Sequence, residues 1–94
     1  GVSGKTARKI GIKLKTSARG TQTICVTHSA QIASLADRQL LIEKRVIDGR
    51  TETQVSEITG DDRVREIARI LGGVTVSETM RSSARELIDE GKNY

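Results

Sequence analysis

The sequence predicts an α/β chain with an incomplete sheet, its elements ordered α-β-α-β-hairpin-α-α. Three observations lead there. The run "TQTICVTH" gathers Thr23, Ile24, Cys25, Val26 and Thr27 into one β-rich stretch and reads as a buried strand ending at His28. Asp48-Gly49, set between two alternating segments, is the strongest short turn signal in the chain. The remaining stretches carry apolar residues at helical spacing. One buried strand beside a polar hairpin cannot cover its own faces, so the pattern suggests a piece cut from a larger α/β domain.

Each element has its own signal. Ser3 is placed to cap a helix over residues 4 to 18, with Ala7, Ile10, Gly11, Leu14 and Ala18 on one face. Gly11 on that face would let another backbone come close. A short helix fits Ala30 to Ala36, with Ile32, Ala33 and Ala36 inward. From Gln39 to Ile58 the period becomes that of strands. If Asp48 and Gly49 form the loop, Ile47 pairs with Arg50, which sets Arg45 opposite Glu52 and Ile42 opposite Val55. After Gly60, Asp61 can cap a helix with Val64, Ile67, Ala68 and Leu71 inward, stopped by Gly72-Gly73. Thr75 followed by Glu78 is a capping-box pair for a last helix with Met80, Ala84, Leu87 and Ile88 on its apolar face.

Composition narrows the function. The 94 residues, 35% of them hydrophobic, suffice for one small domain burying roughly 60 to 65% of its unfolded surface. Tyr94 is the only aromatic residue, so the core must be aliphatic and a module that stacks bases on aromatic rings is disfavoured. Charge is divided unevenly. Residues 1 to 47 carry nine Lys/Arg against two acids, whereas residues 48 to 94 carry seven against ten. A basic patch at Lys5, Arg8, Lys9, Lys13 and Lys15 reads first as a solvated helix face, and alternatively as a surface that tracks phosphates. A single cysteine fits a reducing compartment, no apolar run is long enough to span a membrane, and no basic-then-apolar leader opens the chain. The expected location is cytoplasmic.

The opening hexamer "GVSGKT" raises the question of a phosphate-binding loop. Gly4-Lys5-Thr6 supplies the last three positions of G-x-x-x-x-G-K-[ST], but the first glycine would precede Gly1. His28, the only histidine, sits at the carboxyl end of the predicted strand, where open α/β sheets place functional groups; it reads alternatively as a hydrogen-bonded structural residue. Cys25 and His28, three positions apart on a strand, would face opposite ways, so Cys25 reads as a small buried hydrophobe rather than a nucleophile. One Cys and one His cannot make a zinc site. The acid pairs Asp61-Asp62 and Asp89-Glu90 read as helix-end or surface charges.

Taken as a series, "GVSGKTA", "QTICVTHSAQIASLADRQLLIEK", "DGRTET" and "REIARILGG" resemble the C-terminal end of the RecN family of bacterial DNA-repair ATPases, SMC-like members of the ABC ATPase superfamily. The similarity runs over essentially the whole chain. It implies that residues 1 to 94 form the C-terminal lobe of an ATPase head, starting just after the Walker B element. Gly1 to Gly4 would then be the D-loop, with Ser3 helping to place the γ-phosphate and attacking water, and Lys5-Thr6 would open the following helix. The P-loop match becomes a coincidence. By the same resemblance His28 is the H-loop, or switch, histidine, contacting the γ-phosphate of ATP, a role suited to an imidazole donor aimed at a phosphoryl oxygen.

The resemblance also implies ATP and Mg2+ as cofactors of the whole protein, with none held tightly by this chain, which should be inactive alone because Walker A, the signature motif and Walker B lie elsewhere. Implied partners are the N-terminal half of the head, a second head in a homodimer, DNA at double-strand breaks during recombinational repair, and recombinase filaments. Nucleoid association follows from that role. Lys5, Arg8, Lys9, Lys13 and Lys15 would face DNA or the partner head. The alternatives are an autonomous basic module for nucleic acid or an acidic protein, without ATP chemistry, and a head fragment of another SMC-like ATPase.

Overall fold

The computed structural model describes residues 3–72 and 75–94. Among these residues four helices and one antiparallel hairpin make up a mixed α/β arrangement: α1 (Gly4–Ser17), α2 (Ala30–Ala33), β1 (Gln39–Ile47), β2 (Arg50–Ile58), α3 (Gly60–Gly72) and α4 (Glu78–Gly91). Ser3 caps α1 as its sequence position predicts, its Oγ accepting from the Thr6 amide at 3.3 Å.

The hairpin has the predicted register, with Ile47 opposite Arg50, Arg45 opposite Glu52 and Ile42 opposite Val55. Asp48 and Gly49 both take positive φ, 51° and 75°, which matches a two-residue turn to the twist of its strands. Leu40, Ile42, Val46 and Val55 share one face of this ribbon, and all four are exposed.

The run from Thr23 to His28 departs from expectation. It is not a buried strand: residues 22–29 carry no regular structure, and Ile24 and Val26 are 79% and 86% exposed. Cys25 is exposed as well, not a buried hydrophobe. The physical reason is the lack of a ladder, since the only described sheet is β1 with β2 and no other described strand offers its backbone to this segment. Its β-branched composition states a preference that needs neighbours to be realised.

Helix ends also shift. α2 stops at Ala33 rather than Ala36, α3 already begins at Gly60 so that Asp61 lies inside its first turn, and Ser77 instead of Thr75 caps α4 by accepting from the Met80 amide at 3.2 Å. Gly73, part of the predicted stop after α3, lies outside the described residues.

The core is small and aliphatic. Ala30, Ile67, Ala68 and Ala84 are buried together, with Ala33, Val64, Ile70, Val76, Met80, Leu87 and Ile88 packed around them. Leu71, predicted inward, is exposed, because α4 covers the Val64–Ile67–Ala68 side of α3 and lays Met80 against Gly72. A second contact centres on buried Leu35. A Cβ on Gly11 would lie 2.5 Å from Leu35 Cδ1, and one on Gly91 would lie 2.8 Å from the Ser34 carbonyl oxygen and 3.3 Å from Leu35 Cα. The close approach expected at Gly11 is therefore real. Only part of the apolar face of α1 is covered, however: Ala7 and Gly11 are buried while Ile10 and Leu14 stay exposed.

Global dimensions agree with a fold short of partners. A monomeric globular protein of 10.2 kDa exposes about 5,300 Å², whereas this chain exposes 6931 Å². The radius of gyration is 14.2 Å, against about 12 Å for a compact chain of this length. The hairpin, the 22–29 segment and the open side of α1 carry most of the exposed large apolar side chains.

Candidate functional site

The two residues singled out for phosphate chemistry lie at the two ends of one packed corner. Ser3 precedes α1, and its hydroxyl is engaged with the Thr6 amide and, at 3.0 Å, with Thr6 Oγ1. His28 is exposed at the end of the extended segment, two residues before α2. The corner closes through Gly4 and Gln31: a Cβ on Gly4 would lie 3.8 Å from both Cγ and Nε2 of Gln31. The start of α1 therefore adjoins α2 one turn beyond His28. Gly1 and Val2 of the opening tetrapeptide lie outside the described residues.

The chain between α1 and α2 is held sparingly. The Thr21 amide donates to the Ala18 carbonyl at 2.9 Å, and the Ser29 amide donates to Thr27 Oγ1 at 3.0 Å. Val26 and Ile24, close to His28, face outward, so the imidazole stands on a strip of backbone whose donors and acceptors are open to a sheet partner.

The basic residues of α1 divide into two sets. Arg8 is withdrawn from the surface, its side chain 12% exposed: Nη1 donates to the Gln31 carbonyl at 3.0 Å and to Ser34 Oγ at 2.8 Å, and Nη2 donates to the Leu87 carbonyl at 3.1 Å. Lys15, 16% exposed, donates to the Gly91 carbonyl at 2.8 Å and lies 3.6 Å from Asp37. Lys5, Lys9 and Lys13 are exposed. Their spacing of four residues places them along one side of α1, a row of about 6 Å steps. Lys5 and Lys9 border an open depression of about 400 Å³ together with Gly4, Gln31 and Glu90.

Sequence reasoning missed Gln31 and Arg63. Arg63, in the first turn of α3, donates through Nη2 to the carbonyls of Ala33, Ser34 and Ala36 at 3.2, 3.3 and 2.8 Å, and through Nε to Gln39 Oε1 at 3.0 Å. Burial lowers its proton affinity, with Asp37 acting in the opposite direction. Nothing in its local sequence marks it, because the acceptors belong to another part of the chain.

Among the described residues no group of three or more His, Cys, Asp or Glu side chains could hold a metal ion. Ser3 and His28 are two polar side chains on either side of the Gly4–Gln31 contact, and His28 is exposed. Among the described residues, too, no helix is long and apolar enough to cross a membrane.

No protein-family model matches the chain. Curated proteins do. It is 45% identical over 92 residues to the DNA repair protein RecN of Streptomyces coelicolor, covering 98% of this chain and 16% of that protein. The RecN proteins of Bacillus subtilis, 39% identical over 90 residues, and Deinococcus radiodurans, 44% identical over 88, cover 96% and 94% of this chain and 16% and 15% of their own lengths. The chain thus spans about one sixth of the relatives it matches. Over that length it belongs to the RecN family of DNA repair proteins, matching a C-terminal part of them.

Proposed function

We propose that the chain is the C-terminal lobe of an ABC-type, SMC-like ATPase head, and that it acts within a RecN-like protein in recombinational repair of DNA double-strand breaks. The observation that carries this reading is the 22–29 segment. A run of strand-forming residues ends at the only histidine, stands extended with Ile24 and Val26 exposed, and lacks a described strand beside it. Such a segment completes a sheet that other residues begin. In this reading Gly1 to Gly4 are the D-loop, Ser3 faces the partner head, and His28 is the switch histidine that donates to the γ-phosphate of ATP. The phosphate cradle and the Mg2+ ligands come from the remainder of the head.

Two heads would close on ATP, bringing Ser3 and His28 to the nucleotide sites. Lys5, Lys9 and Lys13 are then the exposed cations of α1 available to DNA or to the partner head. Location in the cytoplasm, on the nucleoid, and contact with recombinase filaments belong to the same proposal. The autonomous basic module is the weaker reading, because the chain exposes more surface than a self-sufficient domain of its size, with Ile24 and Val26 among its exposed apolar side chains.

The decisive experiment is His28→Ala in the intact RecN-like protein. The expected result is ATP turnover reduced by about 100-fold or more with nucleotide still bound, the scale of losing one donor to a transition-state oxyanion. Unchanged turnover refutes the assignment of His28. A companion titration of the chain alone with Mg-ATP separates the two readings of "GVSGKT": saturable amide shifts at residues 3 to 6 at sub-millimolar nucleotide support a P-loop and overturn the D-loop.

A further inference from the structure

We infer that Arg8 is a positioning residue, a clamp that fixes the His28 segment relative to the Ser3 helix. The functional consequence of this clamp rests on the reading of His28 just given; the clamp itself does not. Arg8 lies in the second turn of the helix that Ser3 caps, and its guanidinium reaches three acceptors on two other parts of the fold: the Gln31 carbonyl and Ser34 Oγ at α2, and the Leu87 carbonyl on α4. Glu90, 4.0 Å away, adds a carboxylate to the same corner. Ser34 is itself buried, so its hydroxyl depends on Arg8 for a donor.

The segment leading to His28 has no ladder hydrogen bonds of its own, and what fixes its downstream end is the docking of α2. α2 is four residues long and is too short to hold itself in place by its own backbone bonds. Its attachment to α1 comes from the glycine contacts at Gly4 and Gly11 and from Arg8. A displacement of α1 is therefore passed to α2, and so to His28, through these packed contacts and through one planar guanidinium that supplies their hydrogen bonds. Lysine cannot replace it, because a single ammonium cannot span acceptors on α2 and α4 in the fork geometry. The two ends of the clamp carry the two residues assigned to phosphate chemistry. Arg8 accordingly leaves the DNA-facing set and serves the coupling between them.

The test uses the intact RecN-like protein with Arg8→Met, Arg8→Lys and Ser34→Ala, read by amide hydrogen exchange and by ATP hydrolysis. Arg8→Met is expected to speed exchange over residues 27–35 by about tenfold or more, at tenfold per 1.4 kcal/mol of local stability, while the amides of Ile67, Ala68 and Ala84 keep their protection. The same variant should lower kcat by about tenfold or more with KM within a factor of about three. Arg8→Lys should recover part of the kcat, and Ser34→Ala should loosen 27–35 by a smaller factor. Unchanged exchange over 27–35 in Arg8→Met overturns the clamp, and loosened exchange with unchanged kcat overturns its positioning role. If Arg8→Met also loosens the Ile67 core, Ser34→Ala decides: faster exchange confined to 27–35 supports the clamp and none refutes it. His28→Ala run alongside separates the two ideas, since full turnover in that variant removes the phosphate contact while the exchange comparison still judges Arg8.

Discussion

Replacing Arg63 by Met removes a guanidinium that ties the end of one element to the start of another. Its Nη2 serves three carbonyls at and beyond the end of α2, those of Ala33, Ser34 and Ala36, and its Nε serves Gln39 at the start of β1. The carbonyls at a helix end have no partners within the helix, so their satisfaction must come from elsewhere. A hydrogen bond from a charged donor contributes about 1.5 to 3 kcal/mol, but four bonds from one half-buried group do not add, because water replaces part of what is lost. A loss of about 2 to 4 kcal/mol in the local stability of residues 33–39 follows for Arg63→Met. That corresponds to amide exchange across this segment faster by about 30- to 700-fold, at tenfold per 1.4 kcal/mol. Arg63→Lys, whose ammonium can serve some of the carbonyls, should recover roughly half of that free energy. An exchange rate changed by less than about threefold in Arg63→Met would refute the account of Arg63 as the cap of α2.

Gly91→Ala should destabilise the chain by about 1 to 2 kcal/mol, since its Cβ meets the Ser34 carbonyl oxygen and Leu35 Cα, which are backbone; Gly11→Ala, whose Cβ meets only the movable tip of Leu35 at short range, should cost less, and urea unfolding of the two variants orders them. The Glu57 carboxyl, hydrogen-bonded by Arg38 at 2.7 and 2.9 Å, is held below the usual carboxylate range against a smaller opposing effect of desolvation. Its contribution to stability is therefore present above the ordinary carboxylate pKa and is lost as pH falls through the lowered value; Arg38→Gln should move the Glu57 titration up, as followed by carboxyl-carbon NMR. The chain alone should self-associate through Ile24 and Val26, and Ile24→Lys with Val26→Lys should shift its sedimentation toward monomer, whereas the same pair in the intact protein should weaken folding of the head.

What can be read from the sequence depends on how local the cause is. The hairpin is fixed by Asp48-Gly49 and by pairs that meet across it between Gln39 and Ile58, so the register follows from the turn alone. The helices follow from spacing, and Ser3 caps α1 because a serine hydroxyl and the third amide beyond it are all that the motif needs. The caps at Thr75 and Asp61 are legible only as candidates. Ser77 offers the same hydroxyl two residues after Thr75, and the tertiary docking of Met80 against Gly72 chooses between them. The segment at 23–28 marks the limit. Its composition expresses a strand, yet a strand is a relation between backbones, and no described backbone answers it.

The same distinction governs the candidate site. Ser3 and His28 are visible because of their types and their places beside elements, whereas Gln31, Arg63 and the roles of Arg8 and Lys15 arise from contacts between residues far apart in sequence. Five basic residues on one helix read as a single patch. The fold turns two of them inward onto carbonyls of α2 and α4, where each satisfies backbone acceptors, and leaves Lys5, Lys9 and Lys13 outside. Turning Arg8 and Lys15 inward leaves the net charge of +4 as it was, but it changes where the field is directed. Where the three outer lysines face DNA, a counterion-release slope measured for the intact protein should respond to each by about one unit of released ion, whereas it should not if they face the partner head; Arg8 should instead reveal itself in exchange rates and turnover.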